Sequence, residues 1–266
     1  GLGDVYKRQN MSLLRRRMKT PQLKLELFVK GSKSQTDLCL CYMADRVPQS
    51  LIAQIKARLD EMELESILSS AYLQPFLENR RGCLFDTVGT TQRPDVLCAK
   101  LLEGRVGLLI DGTPFALVIP KLFCESFQTM DDYCYRPAYA TLVRWIKYAA
   151  FLVAVLLPAL YVAIALHHPE LLNRTLLLIL ADAEENAPIS LTAEAIGVLL
   201  VYEIIREAGL RLPKAVGGAV SIVAGLIIGD AAVASGLIST PMLTVTAIAV
   251  IAGFVVPDLA QSITLL

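Results

Sequence analysis

Hydrophobic residues follow two regimes along this chain, and the change comes near Arg136. Before it they form short runs punctuated by polar residues, Pro and Gly. After it they form long runs with few charges. In the first regime, "TDLCLCYM" alternates and predicts a strand ending near Met43. "PQSLIAQIKARLDEM" places Leu51, Ile52, Ile55 and Leu59 at the spacing of an amphipathic helix, with Pro48 tolerated in its first turn. "ESILSSAYLQPFLE" predicts a second helix, broken at Pro75. "RPDVLCAKLLEG" predicts a helix starting at Pro94 and stopping at Gly104. Two strands, "RVGLLI" and "FALVIP", come next, and then a short helical stretch around "KLFCESFQTMDD". Strands interleaved with helices imply an α/β or α+β domain over residues 31–135. Residues 11–30 read as a basic lead-in or linker with little structure. "GLGDVYKRQN" at 1–10 has no apolar core, differs in composition from the segment after it, and is read as a non-native scar.

The second regime, residues 136–266, predicts a helical transmembrane bundle. Tyr148 to Leu166 carries no charge over nearly the ~20 residues that cross a bilayer, with Pro158 as an expected kink. Further spans are expected at 214–234 and 241–257, separated at Ser239–Pro241. A contested one covers 188–206, and 171–181 is short, contains Arg174, and reads as re-entrant or interfacial. The fold class is therefore an α/β (or α+β) cytosolic domain followed by an α-helical transmembrane bundle. Both ends look truncated.

Composition supports that division. The chain of 266 residues is 55% hydrophobic and only 19% charged, more apolar than an ordinary soluble domain. Its zero formal charge hides an asymmetry: residues 1–148 hold 21 Lys/Arg against 16 Asp/Glu, and residues 149–266 hold 4 against 9. Arg136, Arg144 and Lys147 precede the first span and Glu170 comes after it, which places the front domain in the cytosol by the positive-inside rule. The six cysteines (39, 41, 83, 98, 124, 134) all lie in the front part and fit no zinc spacing. Cys39 and Cys41 share one strand face and read as reduced thiols.

Catalytic chemistry finds little support. Asp111 follows an apolar run, as a phosphoryl-transfer aspartate would. However, the position two before it is Leu109, which can be neither nucleophile nor metal ligand, and Thr113-Pro114 does not complete a phosphate loop. Asp111-Gly112 between two strands reads as a hairpin turn in which both residues take positive φ. His167 and His168 would need Glu170 or another group to hold a metal, and an interfacial helix end is the simpler reading. The Arg15–Lys19 cluster lacks an aromatic platform for nucleic acid and suits lipid headgroups or protein better. No catalytic residue, metal or cofactor is assigned.

The residues most suggestive of function are charges in an apolar helix: Glu194, Glu203, Arg206 and Glu207. Such groups are costly in a bilayer and tend to face an interior or a watery path. Arg206 can neutralise a nearby carboxylate by helical spacing. Glu194 falls about 180° around the helix from Glu203. The alternative is an interfacial helix with solvated charges. Gly217, Ser221, Gly225 and Gly229 recur every four residues, the spacing that lets membrane helices approach closely; a generic small-residue span is the alternative.

Several blocks carry a resemblance: "KTPQLKLELF" with "GSKSQTDLCLCYM", "LLEGRVGLLIDGTPFALVIP", "LLPALYVAI", "EIIREAGLRLP" and "AVSIVAGLIIGDAAVASGLISTPM". Over residues 18–258 the chain resembles the GerA-family spore germination proteins, the A subunits of nutrient germinant receptors. The resemblance implies an integral, multi-pass protein of the spore inner membrane, its soluble domain facing the core. That soluble region would be two-lobed, with mainly the second lobe present here. It implies as partners a transporter-like B-type subunit that senses nutrient and a C-type lipoprotein, besides membrane lipid and further copies of itself, and no nucleic acid. Its function would be to couple sensing by those partners to ion release through an oligomeric channel, or, alternatively, to act as a non-conducting scaffold. Family members extend further at both ends, so the chain is expected to be partial.

Overall fold

The computed structural model describes residues 2–78, 85–186, 189–213, 225, 227 and 229–256. It divides into two compact units, Gly1–Glu125 and Ser126–Leu266.

The N-terminal unit is a mixed α/β structure on one five-stranded antiparallel sheet. Its strands are β1 (Leu23–Lys30), β2 (Thr36–Met43), β3 (Gly89–Thr91), β4 (Val106–Ile110) and β5 (Ala116–Ile119), ordered β1-β2-β4-β5-β3. Leu38 to Met43 of β2 are all buried, because alternate side chains enter two separate cores. Leu38, Leu40 and Tyr42 join Val106, Leu108, Ile110, Leu117 and Ile119 on one face. There α2 (Gln49–Asp60) adds Ile52, Ile55 and Leu59, and α3 (Gln74–Leu77) adds Leu77. Cys39, Cys41 and Met43 lie on the other face with Leu109, Ala116 and Val118. They are covered by Leu14 of α1 (Leu2–Arg17), Met18 just beyond it, and Leu97, Cys98 and Leu101 of α4 (Pro94–Leu102). Gly107 allows that cover, since a Cβ there would lie 2.8 Å from Leu97 Cδ1. Cys39, Cys41, Cys98, Cys124 and Cys134 are free thiols, and Cys83 lies outside the described residues. Beside Cys39 and buried near Cys98, the Cys41 thiol is pushed well above its ordinary range.

Residues 11–30, expected as a linker, are structured. α1 crosses residue 10 without a break, Leu14 is 1% exposed, and β1 pairs with β2 from Leu23↔Met43 to Lys30↔Thr36. Leu23 and Leu25 pack on the second core and Phe28 on the first. Arg15, Arg16 and Arg17 point outward and made this segment look featureless.

In the C-terminal unit, α5 (Pro137–His167) is 31 residues long and the one helix among those described that is long and apolar enough to cross a membrane. It begins eleven residues before the uncharged stretch, with Pro137 in its first turn, and runs through Pro158. α6 (Arg174–Asn186), α7 (Leu191–Arg211) and α8 (Thr240–Phe254) come next; α8 is apolar but only 15 residues long. Residues 225, 227 and 229–234 are also helical. Most of the span expected at 214–234, and the end of that at 241–257, lie outside the described residues.

The boundary between units falls at Glu125, ten residues before the one expected at 135. The segment from Ser126 onward packs on α5: the Phe127 ring lies 4.5 Å from that of Tyr148 and 5.3 Å from that of Phe151. α5 buries Ala140, Lys147, Ala154, Pro158 and Ala165, spaced seven, seven, four and seven apart. α8 buries Met242, Thr246, Ala249 and Gly253, spaced four, three and four. These are the seam spacings of two packed helices, and a Cβ added at Gly253 would lie 3.9 Å from the Ala154 Cβ.

Candidate functional site

The chemistry of the C-terminal unit gathers at two buried polar clusters and one exposed charged helix face. The first cluster lies where α7 and α8 begin. Ser190 caps α7 through an N–H bond from Ala193, and Glu194 comes next in the first turn. Its side chain turns inward and is 2% exposed. The Ser239 hydroxyl, which caps α8, donates to Glu194 Oε1 at 2.7 Å, and the Ser239 N–H donates to the same oxygen. One carboxylate therefore serves the starts of two helices, where the helix dipoles favour negative charge. Leu191, Ala195, Met242 and Ala165 close an apolar cluster beside it.

On the remainder of α7, Arg206 pairs with Glu203 at i,i+3, and Glu207 pairs with Arg211 at 2.7 Å. Both carboxylates of this face thus have an arginine on their own helix. Glu203 is 44% exposed in its side chain, so Glu194 and Glu203 occupy different environments.

The second cluster lies at the start of α5. The turn Met130–Tyr133 opens with a capping box, in which Asp132 accepts from Thr129 N–H at 3.2 Å and from Thr129 Oγ1 at 3.1 Å. Lys147 Nζ reaches both Asp132 oxygens at 2.9 Å and Thr129 Oγ1 at 3.2 Å. Both residues are buried. Burial pushes the Asp132 carboxyl up, but Lys147 and the Thr129 N–H outweigh it and hold it below its ordinary value. Arg144 stands 3.8 Å from the same carboxylate and 5.1 Å from the Tyr133 ring. Removing one partner would leave a buried charge, at a cost of about 3–5 kcal/mol. Lys147 is therefore a neutralised internal group, and Arg136 and Arg144 remain as the basic flank of α5. Sequence reasoning missed this pair. The available signal was the placement of Lys147 midway between Ala140 and Ala154 on the seven-residue seam.

The other sequence candidates fall elsewhere. Of the small-residue stripe, Gly217 and Ser221 lie outside the described residues. A Cβ added at Gly229 would lie 3.8 Å from Leu243 Cδ2, and one added at Gly225 would meet nothing within 4 Å among the described residues. Asp111 and Gly112 lie between β4 and β5, and the Asp111 N–H donates to Asp37 O at 3.0 Å. Gly112 has φ of 80° and Asp111 does not share that positive φ, so one residue of the pair rather than both takes the left-handed conformation, in a connection that runs from 111 to 115. His168 pairs with Glu170 at 3.0 Å on the surface. Among the described residues, no group of three His, Cys, Asp or Glu could hold a metal ion.

Comparison with known proteins places these features in a lineage. A family model described as Bacillus/Clostridium GerA spore germination protein matches residues 6–266. Spore germination protein KA of Bacillus subtilis (strain 168) is 39% identical over 255 residues, covering 96% of this chain and 47% of its own length. The uncharacterized membrane protein YfkQ of the same organism is 38% identical over 261 residues, covering 97% of this chain and 51% of its own. This chain thus spans about half the length of the curated relatives it matches. A solved structure, the N-terminal domain of the A subunit of the Bacillus megaterium spore germinant receptor GerK3, shares 38% identity over 43% of this chain and 91% of that one, with a TM-score of 0.35. With the family match running over nearly its whole length, the chain belongs to the Bacillus/Clostridium GerA spore germination protein family.

Proposed function

We propose that this chain is part of a membrane subunit of a spore nutrient germinant receptor, coupling germinant sensing by partner subunits to ion release through an oligomeric channel. The family match over residues 6–266 is the observation that carries this reading. The apolar α5 and a relative named as a membrane protein support the membrane setting. The proposed partners are a transporter-like B-type subunit and a C-type lipoprotein. The proposed location is the spore inner membrane. Arg136 and Arg144 ahead of α5, against Glu170 behind it, favour the N-terminal unit facing the core. Glu203 and Glu207 both have an exposed side on α7, and a pore-facing carboxylate would favour cations.

One observation favours a second reading, a non-conducting scaffold subunit. Glu194 is buried against Ser239, and Glu203 and Glu207 are each paired within α7, so these carboxylates have structural roles available without a pore. Glutamine and alanine variants of the full-length protein, measured by germinant-triggered cation release from spores, separate the two. For a channel, Glu203→Gln slows release at unchanged protein amount. Glu194→Gln keeps its acceptor oxygen and stays near wild type, whereas Glu194→Ala leaves Ser239 unsatisfied, at a cost of about 1–3 kcal/mol. Unchanged release in both glutamine variants would remove the pore-charge role.

A further inference from the structure

The α7 charges leave the cluster at the start of α5 without an assigned role. A lysine near the end of an apolar span ordinarily extends toward water or headgroups. Lys147 instead turns to Asp132, and the contact is multiply fastened. Both carboxylate oxygens and Thr129 Oγ1 accept from Nζ, the same carboxylate caps its own turn, and Arg144 backs it while standing over Tyr133. Phe127, 1% exposed, fills the space beside Tyr148 and Phe151. Seven positions before Asp132, Glu125 ends the N-terminal unit and is held within that unit by Arg105 and, at 3.5 Å, by Lys100. Arg105 also donates to Pro120 O. Glu125 and Asp132 are thus each held by basic residues of their own unit. Holding a turn on a helix does not require ions, because a well-packed apolar pair does it at no greater cost. What a buried pair adds is a unique partner and direction.

We propose that Asp132 and Lys147 are positioning residues that latch the turn following the N-terminal unit to α5, so that displacement of this turn is passed to the helix. The inference rests on the receptor reading.

The test uses the full-length protein with its partner subunits in spores. Receptor amount is measured by immunoblot and the half-maximal germinant concentration by dose response. Asp132→Asn and Lys147→Met each leave one buried group without its partner and lower the amount. The double variant leaves no fully buried charge unpaired, since Arg144 is partly exposed and keeps the Tyr133 ring, and asparagine still caps Thr129, so its amount recovers. Its half-maximal germinant concentration stays raised about tenfold, in the range of a coupling between sites. A double variant with wild-type dose response at matched amount overturns the latch, since the pair then serves stability alone. If none of these variants accumulates, Thr129→Val decides. It removes both the Oγ1 acceptor of Nζ and the Oγ1 donor to Asp132, which loosens the latch while keeping its ion pair, and raises the half-maximal concentration at normal amount; an unshifted response overturns the proposal. A wild-type protein that gives no germinant response overturns the receptor reading and the latch with it. A responsive wild type with unshifted variants overturns the latch alone.

Discussion

The two units bury opposite kinds of residue. The N-terminal unit hides large aliphatic side chains on both faces of its sheet and keeps ion pairs such as Lys33–Glu65 and Arg93–Asp95 outside, with Arg105–Glu125 half-buried at its end. The C-terminal unit hides Ala140, Ala154, Pro158, Ala165, Ala249 and Gly253 together with Lys147, Asp132 and Glu194, and turns Leu152, Leu156, Leu160, Ile196, Leu200 and Ile204 outward. Exclusion of water organises the first. In the second, the apolar exterior takes no part in specifying the packing, so close approach of small residues and a few polar contacts must do it.

The sharpest challenge to this contrast is to delete the same side chain in each unit. Leu108, fully buried between β2 and β5, should lose about 2–5 kcal/mol on substitution by alanine. Leu160→Ala, at an outward position of α5, should leave stability in detergent nearly unchanged. Denaturant titration of both variants checks this; comparable losses would mean that α5 buries its leucines as the sheet does.

The converse change enlarges a small residue. Ala154→Leu puts three extra carbons against Gly253, and overpacking costs about 1–3 kcal/mol. It should lower the melting temperature of the detergent-solubilised protein by less than Leu108→Ala does. A neutral or stabilising result would show that α5 and α8 do not meet along this seam.

The same contrast explains what could be read from the residues alone. β2, β4, β5, α2 and α4 were legible because burial of large side chains imposes periods of two and 3.6, and Gly104 stops α4. α1 and β1 were obscured by Arg15, Arg16 and Arg17, although Leu14, Leu23 and Leu25 carried the pattern. In the C-terminal unit, searching for uncharged stretches placed the start of α5 at Tyr148, because Arg144 and Lys147 looked like flanks. The seven-residue recurrence of Ala140, Lys147, Ala154 and Tyr161 would have extended the helix. Glu194 stood out as an ionisable group in an apolar helix, but its partner Ser239 lies 45 positions away, and no local pattern joins them. The Glu203–Arg206 pair was readable because helical spacing alone sets it. Glu207, next to Arg206 in sequence and so turned away from it on the helix, pairs with Arg211 four positions on.

The mildest change concerns the charges the N-terminal unit keeps at its margin. The Tyr42 hydroxyl donates to Glu26, and Lys56 reaches the same carboxylate at 2.6 Å. The bond to Glu26, and then burial, push the Tyr42 phenol up to about 12. Burial raises the Glu26 carboxyl, but Lys56 and Tyr42 outweigh it and leave it below its ordinary value. The two groups therefore limit stability from opposite sides. The Tyr42 contribution is complete below the ordinary phenol value of about 10 and is lost as pH rises toward 12, because the unfolded chain gives up that proton first. The Glu26 contribution is present above the ordinary carboxyl value of about 4.3 and is lost as pH falls through its depressed folded value. Glu26→Gln should cost about 1 kcal/mol or less at neutral pH, as for other partly exposed pairs. It should also move phenol titration, followed by phenolate absorbance, to lower pH, while Tyr42→Phe removes that titration step. If Glu26→Gln leaves the step that Tyr42→Phe removes unmoved, the hydroxyl is not held by Glu26, and the polar margin of the N-terminal unit is looser than its core.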